Sequence, residues 1–385
     1  MRIFLSCQQA TRQHPVPAYH FWETYLKAGI LEAGHHWTEA KAVDWAEGLV
    51  YSDESELKAW RDRTWSQAID EIRRQHQAQP IDLFLSYLFP KQVEPSAIAE
   101  IQALGIPCVN FYCDNVRDFN RVPNVFYPFD LHWVPEFKAL TFYQKASLNH
   151  LYAPMPVWIP PAQRVTDHLE QYGISFIGSR DSQRAHLLAQ VVQAGVELEI
   201  RGAGWQAKSS NSQAVQTHPK VQTLENQWKF IRSQGIIPWI RKIQEKSLRD
   251  PPAELFTAAL RHQPNSAEYI DIIQQSLIVL GINRYPSYHY PFTQPNTYSR
   301  MRDIEAPMMG ACYLTEWTEG LDHLYDLGEE IETYKTAEEM IEKIRMLQRD
   351  AEKRQQIRRR GQQRVLSDHT IAKSLEKICT ALNLR

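Results

Sequence analysis

Nowhere does this chain of 385 residues approach the roughly 18 consecutive apolar residues of a membrane-spanning helix. The opening MRIFLSC is too short, and too soon followed by polar residues, to read as a secretion signal. Cysteine is scarce. The five present (Cys7, Cys108, Cys113, Cys312 and Cys379) are odd in number and scattered without metal-ligand spacing, which argues against a disulfide frame and for reduced thiols. An excess of charge of either sign is missing too: 43 Lys and Arg stand against 45 Asp and Glu, so no global field draws the chain to nucleic acid. The first apolar run ends in SCQQAT, without the glycine fingerprint of a dinucleotide-dependent oxidoreductase. Convincing Asp-x-Asp pairs at strand ends, a lysine motif for pyridoxal and internal repeats of 20 to 50 residues are likewise lacking. These absences predict a soluble cytoplasmic protein with no resident metal and no cofactor.

What is present is the balance of an ordinary globular chain, 43% hydrophobic and 23% charged, with length enough for two domains. Short apolar runs alternate with longer amphipathic stretches, the pattern of βα units on a mainly parallel sheet. In the first half, strands are predicted at 2–7, 82–88, 107–113 and 131–135, with helices at 17–33, 55–77 and 94–104. A proline cluster, APMPVWIPPAQ (153–163), interrupts regular structure and marks the domain boundary.

A second series then starts afresh: strand 174–179, helix 180–195 and strand 196–205. An irregular insertion follows at 206–265, containing a helical piece around 225–247. The series resumes with helix 267–276, strand 276–282, helix 299–309 and strand 311–316, and the chain closes with helices at 336–347, 349–366 and 370–382. Thr336 and Glu339 carry the spacing of a capping box. The fold class expected is α/β, two Rossmann-like domains at 1–155 and 165–368 facing a cleft. A final helix, 369–385, is expected to return to the first domain. Ligands of such sheets bind beyond the carboxyl ends of the strands.

Three strand-to-helix transitions in the second domain carry candidate chemistry. In IGSRDSQR, Gly178 lets backbone approach a ligand, Ser179 and the helix start offer donors to an anion, and Arg180 and Arg184 supply charge. The alternative is a tight turn with surface arginines. The loop NRYPSYHYPFTQPNTYSR, from Asn283 to Arg300, is long for a connection between helix and strand and rich in aromatics. Its last residues, Thr297, Tyr298 and Ser299, can cap the next helix or bind phosphate oxygens. On that helix Arg302 and Glu305 project from one face. The arginine fork suits a diphosphate and the carboxylate suits vicinal hydroxyls, or the two form a plain surface ion pair.

The stretch SRMRDIEAPMMGACYLTEWTEGLDHLYDLGEEIETYKTAEEMIEKIRMLQRD resembles the C-terminal region of bacterial glycosyltransferases of the GT-B fold, in the spore-maturation-type group-1 family. The likeness extends over 267–375 and, less closely, over 174–205. It implies transfer of a sugar from a nucleotide-diphosphate-sugar donor without a metal. It further implies that Glu305 holds ribose or sugar hydroxyls and that Arg302 takes the diphosphate. Where relatives often carry a second glutamate eight residues on, this chain has Tyr313; Glu316 and Glu319 are the candidates to replace it.

The acceptor, a glycan, a lipid-linked sugar or a protein, then falls to the first domain. If the reaction inverts, a base must stand within about 3 Å of the attacking hydroxyl. His20, in a loop that also carries His14 and Glu23, and Asp114, after the strand 107–113, are the candidates. Equally, Asp114 can cap a turn and His20 can pack beside Trp22. Trp22, Trp37, Tyr112 and Trp133 can stack on an acceptor or form the core. The arginine-rich tail 345–364 reads as a solvated helix face or a peripheral contact with an anionic membrane. The rival reading is a non-catalytic module of the same fold that binds a nucleotide-sugar or glycan.

Overall fold

The computed structural model describes residues 1–15, 20–206, 232 and 236–384. Much of the expected insertion (207–231 and 233–235) and the first residues of the expected helix 17–33 lie outside the described residues. The chain divides into two compact units, Met1–Pro161 with Ser299–Glu305 and Gln363–Arg385, and Ala162–Tyr298 with Ala306–Gln362.

The first unit is built on a wholly parallel sheet of six strands: β1 (Arg2–Ser6), β2 (His36–Thr38), β3 (Leu83–Ser86), β4 (Cys108–Phe111), β5 (Leu131–Val134) and β6 (His150–Tyr152). They lie in the order β2-β1-β3-β4-β5-β6. The sequences RIFLS, LFLS, CVNF and LHWV are almost wholly buried, as strands covered on both faces require. Helices His20–Glu32, Glu54–Ala78 and Pro95–Ala103 connect the first strands. The second of these starts at Asp53, whose carboxylate accepts from the N–H groups of Ser55 and Glu56, and it buries Trp60, Trp65, Ile69 and Ile72.

Aromatic rings fill the centre of this unit. Trp22 packs on Phe111 at 5.4 Å and Phe111 on Trp133 at 5.2 Å between centroids. The Trp133 indole N–H donates to the carbonyls of Ala153 and Pro154, and the Tyr112 hydroxyl donates to Asp118. Trp22, Tyr112 and Trp133 are therefore core residues, while Trp37 lies half-buried under the Lys27 ammonium. The last helix, Ile371–Leu382, is capped by the Thr370 hydroxyl. It belongs to this same unit, where Ile371 sits on Gly29 so closely that a Cβ there would lie 2.3 Å from the isoleucine Cδ1.

Glu136, two residues beyond β5, is buried, and its Oε1 has no hydrogen-bond partner among the described residues while Oε2 accepts from the Val116 N–H at 3.2 Å. Burial, with the charge of Asp114 adding to it, holds this carboxyl well above the usual carboxylate range. A folded-state pKa above the unfolded one means that the stabilisation is complete below the unfolded value and is lost as pH rises through the folded one. Glu136→Gln is accordingly expected to raise the melting temperature at pH 8 and to leave it unchanged at pH 4. Equal shifts at both pH values would contradict this.

The second unit carries a parallel sheet of five strands: β7 (Tyr172–Ile177), β8 (Leu198–Arg201), β9 (Ser276–Gly281), β10 (Tyr313–Glu316) and β11 (Glu332–Tyr334), in the order β11-β10-β9-β7-β8. Helices Ser182–Gln193, Ser266–Gln275 and Ala337–Arg349 pack on it, the first and third around Phe176, Leu188, Ile200, Leu280, Leu314 and Met340. Asn265 and Glu268 form a full capping box on the second. On the third, the Thr336 hydroxyl caps Glu339, but the Glu339 carboxylate reaches back one residue further than expected, to the N–H of Lys335.

The arginine-rich helix Ala351–Asp368 is not wholly a solvated face. Arg354 and Arg358 turn inward. Arg354 grips Glu170 through two hydrogen bonds of 2.8 and 2.9 Å, and Arg358 donates to the carbonyls of Gln274, Ser276 and Gly310.

Candidate functional site

In each sheet the strand order reverses once. In the second unit the chain passes from β7 outward to β8 and then returns to β9 on the other side, so the switch lies between β7 and β9, paired Ile174 to Ile278 and Ser175 to Val279. The crevice at such a point, beyond the carboxyl ends, is where doubly wound sheets bind ligands. The segments that leave β7 and β9 there are Gly178–Asp181 and Ile282–Arg284. Two of the three transitions singled out in the sequence thus come together at one place.

The turn after β7 is tightly built. Gly178 receives the Trp205 indole N–H on its carbonyl at 2.8 Å, and its own N–H donates to the Arg201 carbonyl. Gly202 closes on it with φ +136°, and a Cβ at that residue would meet the Gly178 carbonyl oxygen at 2.3 Å. Only glycine fits there, on grounds of both conformation and space. Ser179 is exposed, and Arg184 donates to its carbonyl at 2.9 Å. Asp181 caps the helix by accepting from the Arg184 N–H. Arg180 reaches Asp250, from the irregular segment, at 3.1 Å, and Asp250 also accepts from the Ser182 hydroxyl at 2.6 Å. Burial alone would raise the Asp250 carboxyl, but the Ser182 and Arg180 donors bring it below the usual range.

The loop after β9 is anchored from β10. Glu316, buried at the end of that strand, accepts from the N–H of Asn283 at 3.2 Å, from the N–H of Arg284 at 2.9 Å, and from the Arg284 guanidinium at 2.5 and 2.8 Å. The Asn283 amide donates to the Glu316 carbonyl at 2.8 Å. Farther on, an antiparallel bridge joins Arg284 to Thr297, Tyr298 packs edge-on to Tyr285 at 5.3 Å, and the Tyr298 N–H returns to the Asn283 carbonyl. The long loop is therefore closed at its base. Of the two glutamates that the sequence offered in place of the residue at 313, Glu316 is occupied by this clamp and Glu319 is exposed.

The third transition groups with the first unit. Asp303 is buried and accepts from the Ser299 hydroxyl at 2.9 Å and the Arg300 N–H at 3.0 Å, which closes the turn that starts helix Arg302–Met308. Glu305 is also buried, and its Oε1 accepts from the Tyr25 hydroxyl at 2.8 Å. Arg302 is half-buried in the first helical position.

In the first unit the strand order reverses between β1 and β3. Gln8, just past β1, takes up φ +63° and donates from its buried amide to the Tyr87 carbonyl beyond β3. Asp114 stands at the end of β4 in an ion pair with Arg117 at 3.0 Å. His20 opens helix His20–Glu32, and its side chain lies outside the described residues. Among the described residues there is no group of three or more His, Cys, Asp or Glu able to hold a metal ion. No helix among them is long and apolar enough to cross a membrane.

These two parallel sheets match solved structures along nearly their whole length. Sucrose-phosphate synthase from Thermosynechococcus elongatus superposes with a TM-score of 0.56 at 11% identity, covering 99% of this chain and 98% of its own. A glycosyltransferase from Rickettsia africae gives 0.56 at 10% over 99% and 98%. Anabaena HepE in complex with UDP gives 0.53 at 10% over 99% of both chains. The fold is GT-B. At this identity the likeness is one of fold. Residues 254–380, the part of the GT-B chain that carries β9 to β11 and most of the last helix, match the family model described as Glycosyl transferase-like. A search of curated proteins gives no match.

Proposed function

We propose that the chain is a glycosyltransferase that moves a sugar from a nucleoside diphosphate sugar to a hydroxyl acceptor. The observation that carries the reading is the coincidence of the family match over 254–380 with a switch point whose two loops present Ser179, Arg180 and the base of the 283–298 loop. Gly178 and Ser179 offer backbone and hydroxyl to the diphosphate, and Arg180 and Arg302 offer charge. Asn283 holds the turn, Thr297, Tyr298 and Ser299 complete the donor-binding set, and Glu305 accepts from the ribose or sugar hydroxyls. The departing nucleoside diphosphate gains negative charge, which fixed guanidinium and N–H groups stabilise without a divalent metal. No cofactor takes part beyond the donor itself. His20 and Asp114 are the acceptor-side residues nominated by the sequence.

The reading extends to a cytoplasmic location. Peripheral contact with an anionic membrane rests on Arg345, Arg349, Arg359 and Arg360, the exposed arginines of the tail. Arg359 and Arg360 are paired with Asp167 and Glu329.

A thermal-shift panel with UDP, GDP, dTDP, ADP and their sugars, with and without EDTA, tests the proposal. A ligand that binds only the folded state raises the melting temperature by mass action, about 2.7 kcal/mol of stabilisation at a hundredfold excess over Kd. A shift from one nucleotide family that survives EDTA is expected. No shift from any of them would overturn the reading. A shift with no turnover of the donor would select a binding module instead.

A further inference from the structure

We infer that helix Ile236–Ser247, in the second unit, lies flat on an anionic lipid surface through an apolar face turned away from the protein. Its sequence is IIPWIRKIQEKS. Ile236, Ile240 and Ile243 follow one another at spacings of four and three, which stacks them on one side of a helix, and Ile237 flanks them. In a helix that packs on its own domain such a row faces the core. Here it faces outward. Ile236 is 63% exposed, Ile237 62%, Ile240 44% and Ile243 49%, and Leu248, just past the helix, is 44% exposed. Of the eleven large apolar side chains exposed among the described residues, these five belong to one short segment, so the exposure is a patch and not scatter.

The opposite side carries polar groups and holds the helix to its unit. Pro238 is buried in the first turn, where its missing N–H removes no helical bond. The Arg241 guanidinium donates to the His289 carbonyl, and the Lys242 ammonium stands 5.7 Å from the centre of the Tyr288 ring, both on the loop that follows β9. Glu245 is half-buried, and burial, with the charges of Asp181 and Asp250 adding to it, raises its carboxyl. The helix is therefore anchored by its charged side while its isoleucines face solvent.

Charge decides the occupant. From 232 to 249 the sequence holds Arg232, Arg241, Lys242, Lys246 and Arg249 against Glu245 alone. A second copy docking by the same face would set cation against cation. An anionic bilayer suits both features. Isoleucines enter the boundary between headgroups and acyl chains, about 5–10 Å deep, while arginine and lysine reach phosphate oxygens. Trp239, four residues before Ile243 and half-buried, is of the residue type that settles at that boundary. This contact is separate from the one resting on the tail arginines, and it holds whether or not the chain transfers a sugar.

The test is flotation of the full chain with vesicles of phosphatidylcholine alone and of phosphatidylcholine with one-third phosphatidylglycerol, at low and at high salt. The natural chain is compared with Ile240→Glu/Ile243→Glu, with Arg249→Gln and with a tail variant, Arg345→Gln/Arg349→Gln. Binding of the natural chain to the anionic vesicles, weakened by salt, is expected. Each isoleucine taken into the lipid is worth about a factor of ten in partitioning and each surface cation about a factor of five. The isoleucine variant is therefore expected to bind about 100-fold more weakly and Arg249→Gln about fivefold, both with the melting temperature of the natural chain, since the substituted side chains are exposed. Failure of the natural chain to float with anionic vesicles would overturn the inference, as would binding that the isoleucine variant retains or that only the tail variant loses. A dimer in lipid-free sedimentation that the isoleucine variant loses would overturn it too and give the face to a second copy.

Discussion

Arg358→Met is expected to cost the chain about 3–5 kcal/mol of stability, the range found when one partner of a buried charged network is removed. Arg358 is 2% exposed and sits on helix Ala351–Asp368, pointing into the second unit. Its guanidinium donates to the carbonyl of Gln274 at 3.0 Å, of Ser276 at 2.5 Å and of Gly310 at 3.2 Å, with the Glu170 carboxylate at 3.4 Å. Those carbonyls belong to the end of helix Ser266–Gln275, the first residue of β9 and the turn before β10. A single side chain therefore satisfies backbone groups at the base of the two strands whose far ends carry Asn283 and Glu316. Methionine fills similar volume but leaves the carbonyls unpaired, each at a cost of about 1–3 kcal/mol before relaxation. Thermal and urea unfolding of the two proteins measure the difference, and a change below about 1 kcal/mol, in the range of ordinary surface substitutions, would contradict the account.

Glu305→Gln is expected to weaken the donor about 10- to 100-fold. Hydrogen bonds to a charged acceptor contribute about 1.5–3 kcal/mol, and each 1.4 kcal/mol is a factor of ten in affinity. The amide keeps the size of the carboxylate and one acceptor oxygen, so the Tyr25 hydroxyl retains a partner and little change in melting temperature without ligand is expected. What is lost is the second acceptor and the charge that two donor hydroxyls require. Titration calorimetry with the nucleotide sugar identified by the thermal-shift panel separates the cases. Unchanged affinity would remove Glu305 from the donor site.

The strands that sequence made legible are those with little else to say. RIFLS, LFLS, CVNF, YGISFI and SLIVLG are apolar nearly throughout, because both faces of a parallel sheet are covered. The strands it missed are HWT, HLY and ETY, three residues each, too short and too mixed in polarity to carry a period. Sheet order, and with it both switch points, was out of reach of the local pattern, since the pairing of β7 with β9 joins residues about a hundred apart.

The same distinction runs through the candidate site. Gly178, Arg180 and the 283–300 loop announce themselves by type and position. The partners that fix them do not: Asp250 lies in a stretch of irregular pattern, Trp205 is only the last residue of an expected strand, and Glu316, a candidate to replace the residue at 313, is turned back on Asn283 and Arg284. Residues 302 and 305 were legible as a helix face, whereas the closure of their turn by Asp303 depends on a carboxylate that reads in sequence as one more acidic residue.

The central claim is that the switch point between β7 and β9 binds the nucleoside diphosphate of a sugar donor, and hydrogen exchange on the nucleotide-bound chain tests it most directly. With the nucleotide sugar that stabilises the protein at saturation, protection is expected to rise in peptides covering 178–184 and 283–299 and to stay unchanged across the buried strands β1 and β3. Protection confined to other segments, or none at saturating nucleotide, would contradict it.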